Sequence, residues 1–307
     1  MAEKIVVELG QEKNRTRFCR ELENGNILFF PSTPFPFPQA EIDFLLKQRQ
    51  SKAKGRKNIA YKPQLDRITN HDTTDLGSEK RLKEILRNYS QRVTQFLTGL
   101  LEPYSKEWKL DYTSFRPFQE MGRNLRLRAR NDLLHVDAFP TRPLHGSRIL
   151  RFFTNINPTM SRNWITSEPF GKLAQQYGGK EVSFPRSTGY SLYQRIERKM
   201  KQMAHSAGWK MPLRSPYDKF MLNLHNFLKE SADFQKHCRK DHWEFPPNCC
   251  WAVFTDQVSH AALSGQYALE QTFLIPVPSL LLPDQSPIRI LERLSGKNMV
   301  DPAFVNT

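Results

Sequence analysis

Residues 125–139 read LRLRARNDLLHVDAF and residues 148–156 read RILRFFTNI. Apolar and polar side chains alternate through both stretches, the period of a strand with one buried face. In the first, Leu125, Leu127 and Ala129 face one way and Arg126, Arg128 and Arg130 the other. In the second, Arg151 shares a face with Ile149 and Phe153, while Phe152 lies opposite. Strand character returns in NCCWAVFTDQVSHAAL (248–263) and YALEQTFLIPV (267–277). Residues 166–230, between the two blocks, read as helical. A mostly β chain with helices packed outside follows.

The flanks fit that division. Residues 1–30 read as strands, KIVVEL first, then RTRFCREL and NILFFP around Glu23-Asn24-Gly25, a hairpin signal. PSTPFPFP then gives an extended link, a short helix covers Glu41–Gln48, and the basic run 47–58 (KQRQSKAKGRKN) reads as a loop. Ser78-Glu79 opens a helix whose stripe is Leu82, Ile85, Leu86, Tyr89, Val93, Phe96, Leu97 and Leu100. Ser215-Pro216 opens another, with Phe220, Met221, Leu224, Phe227 and Leu228 on its buried side. PIRILERLSG closes the chain's core as a last short helix. Residues 1–110 thus supply strands and helices that pack on a core at 111–307, within one domain spanning 1–307.

The chain has 307 residues, 38% hydrophobic and 25% charged, so it can bury a core. With 46 Lys+Arg against 31 Asp+Glu it carries +15, which calls for an anionic partner: nucleic acid, an anionic membrane surface, or a phosphate- or carboxylate-bearing substrate. No window approaches the roughly 18 apolar residues of a membrane span. The nearest, 273–283, holds three prolines. The N-terminus lacks the order of a signal peptide, and of four cysteines Cys249 and Cys250 are adjacent, so a cytoplasmic chain without disulfides is expected.

His135-Val136-Asp137 places an imidazole and a carboxylate on one strand face, a pair suited to Fe(II) if a second histidine joins them. His260, where a strand leaves the core, is the candidate. A partly buried histidine beside a turn-capping acid is the plainer alternative. A rival cluster, His237, Cys238, His242, Glu244, Cys249 and Cys250, lacks zinc-site spacing. Arg151 lies among bulky apolar neighbours and so requires a bound carboxylate or a buried acid; Arg116, in SFRPF, has a similar setting. The basic stretch 193–210, with Met200, Met203 and Trp209 interleaved, is either a solvated helix face or a membrane contact. Nucleophile elbows, Walker loops, dinucleotide fingerprints and nucleic-acid motifs are absent.

Taken together, LLHVDAFPTRPLHGSRILRFFTNINP (133–158) and FTDQVSHAALSGQYALEQTFLIPV (254–277) resemble the Kdo hydroxylase family. The resemblance implies a double-stranded β-helix (jelly-roll, cupin-like) core and Fe(II)/2-oxoglutarate/O2-dependent hydroxylation at the 3-position of Kdo in Kdo-lipid A, yielding succinate and CO2. It implies His135, Asp137 and His260 as iron ligands, with no catalytic residue beyond them. It points to Arg116 and Arg151, assisted by Arg148 and Asn155, as the holders of 2-oxoglutarate. Many such oxygenases carry an arginine about ten residues after the distal histidine; here Glu270 and Gln271 stand there. The implied partners are Kdo-lipid A and the anionic cytoplasmic face of the inner membrane, bound peripherally, with no nucleic acid or protein partner. Arg126, Arg128 and Arg130 are candidate substrate contacts. A 2-oxoglutarate oxygenase for another anionic glycan or a nucleic acid, or a non-catalytic anion-binding jelly-roll, are the competing readings.

Overall fold

The computed structural model describes residues 2–8, 15–49, 58–72, 76–185 and 213–300. Residues 50–57 of the basic run and the whole stretch 193–210 lie outside the described residues.

Strands β1 (Lys4–Val6), β2 (Ile27–Phe30), β3 (Ile59–Lys62), β4 (Arg67–Thr69), β5 (Lys109–Arg116), β6 (Arg148–Asn155), β9 (Cys250–Phe254) and β11 (Ala268–Ile275) form one sheet in the order β1-β2-β9-β6-β11-β5-β3-β4. Only β1 and β2 run parallel in it. A second sheet, β10-β7-β8, is built from β7 (Arg162–Pro169), β8 (Asp241–Phe245) and β10 (Val258–Ser264). The two pack through Phe153, Trp251 and Val253 on one side and Trp164, Phe245 and Ala262 on the other. The Phe245 and Trp251 rings stack at 4.0 Å, and Phe153 meets Trp164 edge-on at 4.9 Å. This is the jelly-roll core, and the N-terminal strands extend its large sheet at both edges.

The helices cover the outer faces. Helices α1 (Arg15–Glu23), α2 (Gln39–Leu46), α3 (Leu76–Leu100) and α4 (Glu102–Ser105) lie on the large sheet. In α3 the expected stripe, from Leu82 through Leu100, is buried apart from a half-buried Phe96. Helices α5 (Phe170–Tyr177), α6 (Pro216–Glu230) and α8 (Pro287–Ser295) form a second core with Ile165 and Ala261 of the small sheet, and the short α7 (Ala232–His237) adds Phe234. At the start of α6 the Ser215 hydroxyl accepts from Asp218 N, and the Asp218 carboxylate accepts from Ser215 N: a capping box.

Four expectations fail. RTRFCREL is helix α1, not a strand: Phe18, Cys19 and Leu22 form its buried stripe. Asn24-Gly25, read as a hairpin turn, ends that helix. Gly25 N donates to Leu22 O and Asn26 N to Glu21 O, with Gly25 at φ 89°, the left-handed residue that a helix C-terminus favours. LRLRAR is not a strand either. It is a loop with one tight turn at Leu127–Ala129, so its alternation marks no sheet face. The interval 166–230 is only partly helical, because β7 runs to Pro169. Among the described residues no helix is long and apolar enough to cross a membrane.

The adjacent cysteines fill the core. Cys250 is buried among Tyr89 and Thr154 groups, and burial pushes its thiol up to about 12; the Cys19 thiol rises to about 12 for the same reason. A raised thiol stays protonated at pH 8 and cannot attack as thiolate. In the native protein only Cys238 should therefore react with iodoacetamide at pH 8. Mass spectrometry of peptides, before and after unfolding in urea, checks this, and native labelling of Cys19 or Cys250 would contradict it.

Candidate active site

The segment before β6 lies extended between the two sheets. His135 forms a two-way backbone bridge with His260: His135 N donates to His260 O at 3.1 Å, and His260 N returns to His135 O at 2.9 Å. Asp137 N donates to Thr255 O at 2.9 Å. His135 is thus on a single-bridge extended segment and not a full strand, but the expected same-face placement of residues 135 and 137 holds.

Each histidine is set by a carbonyl two residues earlier. His135 Nδ1 donates to Leu133 O at 2.7 Å and His260 Nδ1 to Val258 O at 3.1 Å, which leaves both Nε2 lone pairs facing inward. Burial, with Lys229 nearby, holds His135 well below the ordinary histidine range; burial also lowers His260, against the pull of Asp137. Burial alone would raise the Asp137 carboxyl, but Arg151 and then the His135 bond hold it well below its usual range. The site therefore offers two neutral imidazoles and one carboxylate, with ligand atoms all within 4.8 Å of one another. That donor set fits a facial-triad Fe(II) centre. The rival cluster does not converge: among the described residues His135, Asp137 and His260 are the metal-capable group.

Arg151 Nη2 lies 2.8 Å from Asp137 Oδ2, while Asp137 Oδ1 faces His135 Nε2 at 3.5 Å. The arginine thus occupies one carboxylate oxygen and leaves the other for a metal. Its other side meets Glu270, which also binds Arg116 Nη2 at 2.6 Å. Burial would raise Glu270, but Arg151 and Arg116 hold it below its ordinary range. The carboxylate standing where an arginine is usual is the hinge between two arginines on the neighbouring strands β6 and β5.

These groups open into a pocket of about 900 Å³. The large sheet contributes Arg116, Arg151, Phe153, Glu270 and Thr272; the small sheet contributes Arg162, Trp164, His260 and Ala262. Helix α6 adds His225 and Lys229, one turn apart, and the β3–β4 hairpin adds Lys62 and Arg67. Arg142 also faces it, stacked on Tyr112 at 3.8 Å and paired with Asp111 at 3.0 Å. Arg162 is buried, and burial pulls its guanidinium down to about 10 although Glu120 lies 3.2 Å away. Gly265, at φ 103°, lets the β10–β11 turn approach: an added Cβ would sit 2.8 Å from Arg162 Cα, and Gly265 O accepts from Arg162 Nη1 at 3.1 Å. Arg116 Nε, Arg162 Nε and Trp164 Nε1 are buried donors without a partner, a cost that an acceptor of a bound molecule would remove.

Not every expected residue reaches the pocket. Arg148 lies on the opposite face of β6, fully buried and paired to Asp256 at 2.8 Å. Asn155 spends its amide on the carbonyls of Met160, Phe245 and Pro246. Both are structural. Of the loop arginines, Arg128 lines the pocket, while Arg126 does not and Arg130 is bound to Asp132. Arg162, Trp164, His225 and Lys229 were missed by sequence reasoning. Arg162 carried no periodic signal: in the stretch it opens, RNWITSEP, the large apolar residues Trp164 and Ile165 are adjacent and do not alternate.

A family model described as 3-deoxy-D-manno-oct-2-ulosonic acid (Kdo) hydroxylase matches residues 6–298. No curated protein matches the chain. Among solved structures, the apo Kdo hydroxylase KdoO, a non-heme Fe(II) α-ketoglutarate dependent dioxygenase, is 34% identical, with TM-score 0.82 over 97% of this chain and 95% of that one. Its cobalt(II) complex is similar at 33% identity and TM-score 0.83, over 97% and 98% of the two chains. Its complex with α-ketoglutarate and Fe(III) matches at 33% and 0.81, over 97% of each.

The ligand set predicts that His135→Ala, Asp137→Ala and His260→Ala each abolish stoichiometric Co(II) binding in calorimetry. Glu270→Gln should act at one remove. With Arg116 and Arg151 left facing a neutral amide, stability should fall by about 3–5 kcal/mol in urea unfolding, and Co(II) affinity should weaken about tenfold or more. Unchanged stability would mean that the two arginines find other partners.

Proposed function

This chain belongs to the Kdo hydroxylase family, and on that premise we propose that it hydroxylates the 3-position of Kdo in Kdo-lipid A at the cytoplasmic face of the inner membrane. It is an Fe(II)/2-oxoglutarate-dependent dioxygenase, with O2 as the further co-substrate. The observation that carries the reading is the convergence of His135, Asp137 and His260 at the floor of an arginine-walled pocket. Iron and 2-oxoglutarate, when bound, would activate O2, which is the oxidant: one oxygen atom ends in succinate as the oxoacid loses CO2, and the other turns C–H into C–OH.

The protein's own residues bind, orient and shield. The two Nδ1–H bonds keep Nε2 of both histidines available, and Arg151 fixes the Asp137 carboxylate in one orientation. A dianionic oxoacid needs a cation at its far carboxylate. Arg116 and Arg162 supply unpartnered Nε–H donors, and Arg151 adds charge beside the ligand triad. The rings of Phe139, Phe153 and Trp164 give the pocket apolar wall, which limits water near a reactive oxidant. No side-chain acid–base pair is required by that chemistry.

Further out, Lys62, Arg67 and Arg142 line the same pocket, and the buried Lys229 lies nearer His135. Kdo carries a carboxylate and lipid A carries phosphates, so a cationic approach suits such a substrate. The net charge of +15 fits work against an anionic membrane face without a span.

Anaerobic addition of Fe(II) and 2-oxoglutarate should give a weak visible charge-transfer band that His135→Ala lacks. Arg116→Ala should raise the 2-oxoglutarate concentration for half the band by roughly tenfold. With oxygen and Kdo-lipid A, succinate should form in step with hydroxylated sugar. A band with no turnover of any Kdo substrate would overturn the substrate assignment; no band despite bound iron would overturn the placement of the co-substrate.

A further inference from the structure

One surface feature lies outside the pocket chemistry. Residues 121–130, MGRNLRLRAR, contain four arginines and no acid. They form a loop whose base is pinned: Asn131 Nδ2 donates to Glu120 Oε1 at 3.3 Å, Glu120 N to Gly265 O at 3.3 Å, and Ala262 N to Asn131 O at 2.9 Å. The base is thus tied to β10, which carries His260, and to the turn that follows it. The body of the loop projects outward. Met121 is 64% exposed and Leu127 45%. Single exposed apolar side chains are ordinary on a protein surface, but two on one acid-free arginine loop are not. Arg126 is exposed and, among the described residues, pairs with no acid. Arg128, bound to Glu230 at 2.5 Å, turns toward the pocket that it helps to line, and its carbonyl accepts from Lys229 Nζ at 3.2 Å.

We propose that the loop 121–130 seats the mouth of the pocket on an anionic lipid surface. Met121 and Leu127 enter the headgroup–acyl boundary, and Arg126 pairs with lipid phosphates. The inference rests on the membrane-face reading above and names the surface responsible. Arg123, Arg128 and Arg130 are paired with Glu120, Glu230 and Asp132, so the two apolar tips flank one arginine, Arg126, that no acid among the described residues neutralises, which matches the chemistry of an interfacial contact. A nucleic-acid groove would use the arginines and leave the two apolar side chains in water. Continuity matters as much as charge. Because the loop base is tied to the iron-ligand strand and Arg128 reaches the pocket, a lipid-anchored sugar meets the opening without leaving its bilayer.

The test is flotation of the full chain with phosphatidylethanolamine–phosphatidylglycerol vesicles and with phosphatidylcholine vesicles, alongside turnover of a soluble Kdo glycoside. The parent should float with the anionic vesicles and lose that binding in high salt. Met121→Glu/Leu127→Glu and, separately, Arg126→Glu should each reduce the bound fraction roughly tenfold, with thermal midpoint and soluble-substrate turnover unchanged. Leu294→Glu, at an exposed apolar residue of similar degree (41%) on α8, should bind as the parent does. If the parent binds but the loop variants bind equally, the docking surface is elsewhere and the inference is overturned. If Leu294→Glu falls as far as the loop variants, binding is nonspecific and the inference is again overturned. A parent that binds neither vesicle, yet turns over the soluble sugar, defeats the membrane-face reading and leaves the hydroxylase assignment standing.

Discussion

The paired backbone bonds between His135 and His260 are the constraint from which the active site follows. Residues that exchange both N–H···O bonds across antiparallel segments have Cα atoms about 5.5 Å apart, with side chains on the same side. That geometry brings two imidazoles, more than a hundred positions apart in sequence, to within reach of one ion. It leaves their orientation free, and the protein settles that locally: each Nδ1–H is taken by the carbonyl two residues earlier. Asp137 is fixed by the next bond along the same segment, to Thr255. The triad therefore depends on backbone pairing more than on side-chain packing.

Placing a carboxylate ligand and two neutral histidines in a buried pocket creates an electrostatic problem that the neighbouring strands solve together. Asp137 needs a cation to stay ionised when burial opposes it, and Arg151 provides one. Arg151, itself mostly buried, needs more negative charge than a shared carboxylate oxygen supplies, and Glu270 provides that. Glu270 then holds Arg116, which faces Glu120, which in turn holds Arg162. The chain of alternating charge runs across β5, β11 and β6 of the large sheet to β7 of the small one. Breaking a buried network at one member leaves uncompensated charge, so the pattern ties metal ligation to the integrity of both sheets. It also accounts for the buried carboxylate at position 270, which is the anion shared by Arg151 and Arg116 on the two adjacent strands.

How much of this was legible depended on whether the signal was local. The His-x-Asp spacing, the α3 stripe, the Ser215 cap and the face of β6 that holds Arg151 were all set by residues within a few positions, and all are present in the fold. Arg151 is the sharpest case, because a guanidinium between Ile149 and Phe153 must be paired, and it is. LRLRAR failed because alternation identifies a strand only if something pairs with it; here Arg128 and Lys229 bind outside any ladder, and the chain turns at Leu127–Ala129 instead. Asn24-Gly25 failed because a left-handed glycine serves a hairpin and a helix end equally well, and only the buried stripe of α1 decides. Arg148 failed for a third reason. Its role is assigned by Asp256, far away in sequence, and no spacing rule says which of two nearby arginines faces the pocket.

The N-terminal third contributes to the pocket itself. Sequence reading placed it as material packed on a core, yet β3 pairs directly with β5 and carries the sheet past Arg116. Lys62 and Arg67 then stand on the continuation of the surface that bears the arginine network, with Arg142 stacked on Tyr112 between them and the metal-ligand segment. A jelly-roll ending at β5 would enclose the triad but leave one side of the pocket open to water. Adding a short hairpin to the free edge closes that side and lines it with cations, and it does so by ordinary ladder bonds. The triad lies between the sheets, His260 on β10 and His135 and Asp137 on a segment held by the bridge to His260 and the bond to Thr255, whereas the outer cations Lys62 and Arg67 sit on an edge hairpin. The metal-capable group is thereby held at the junction of the two sheets and the outer cations on an edge hairpin of the large one, at positions with different tolerance for change.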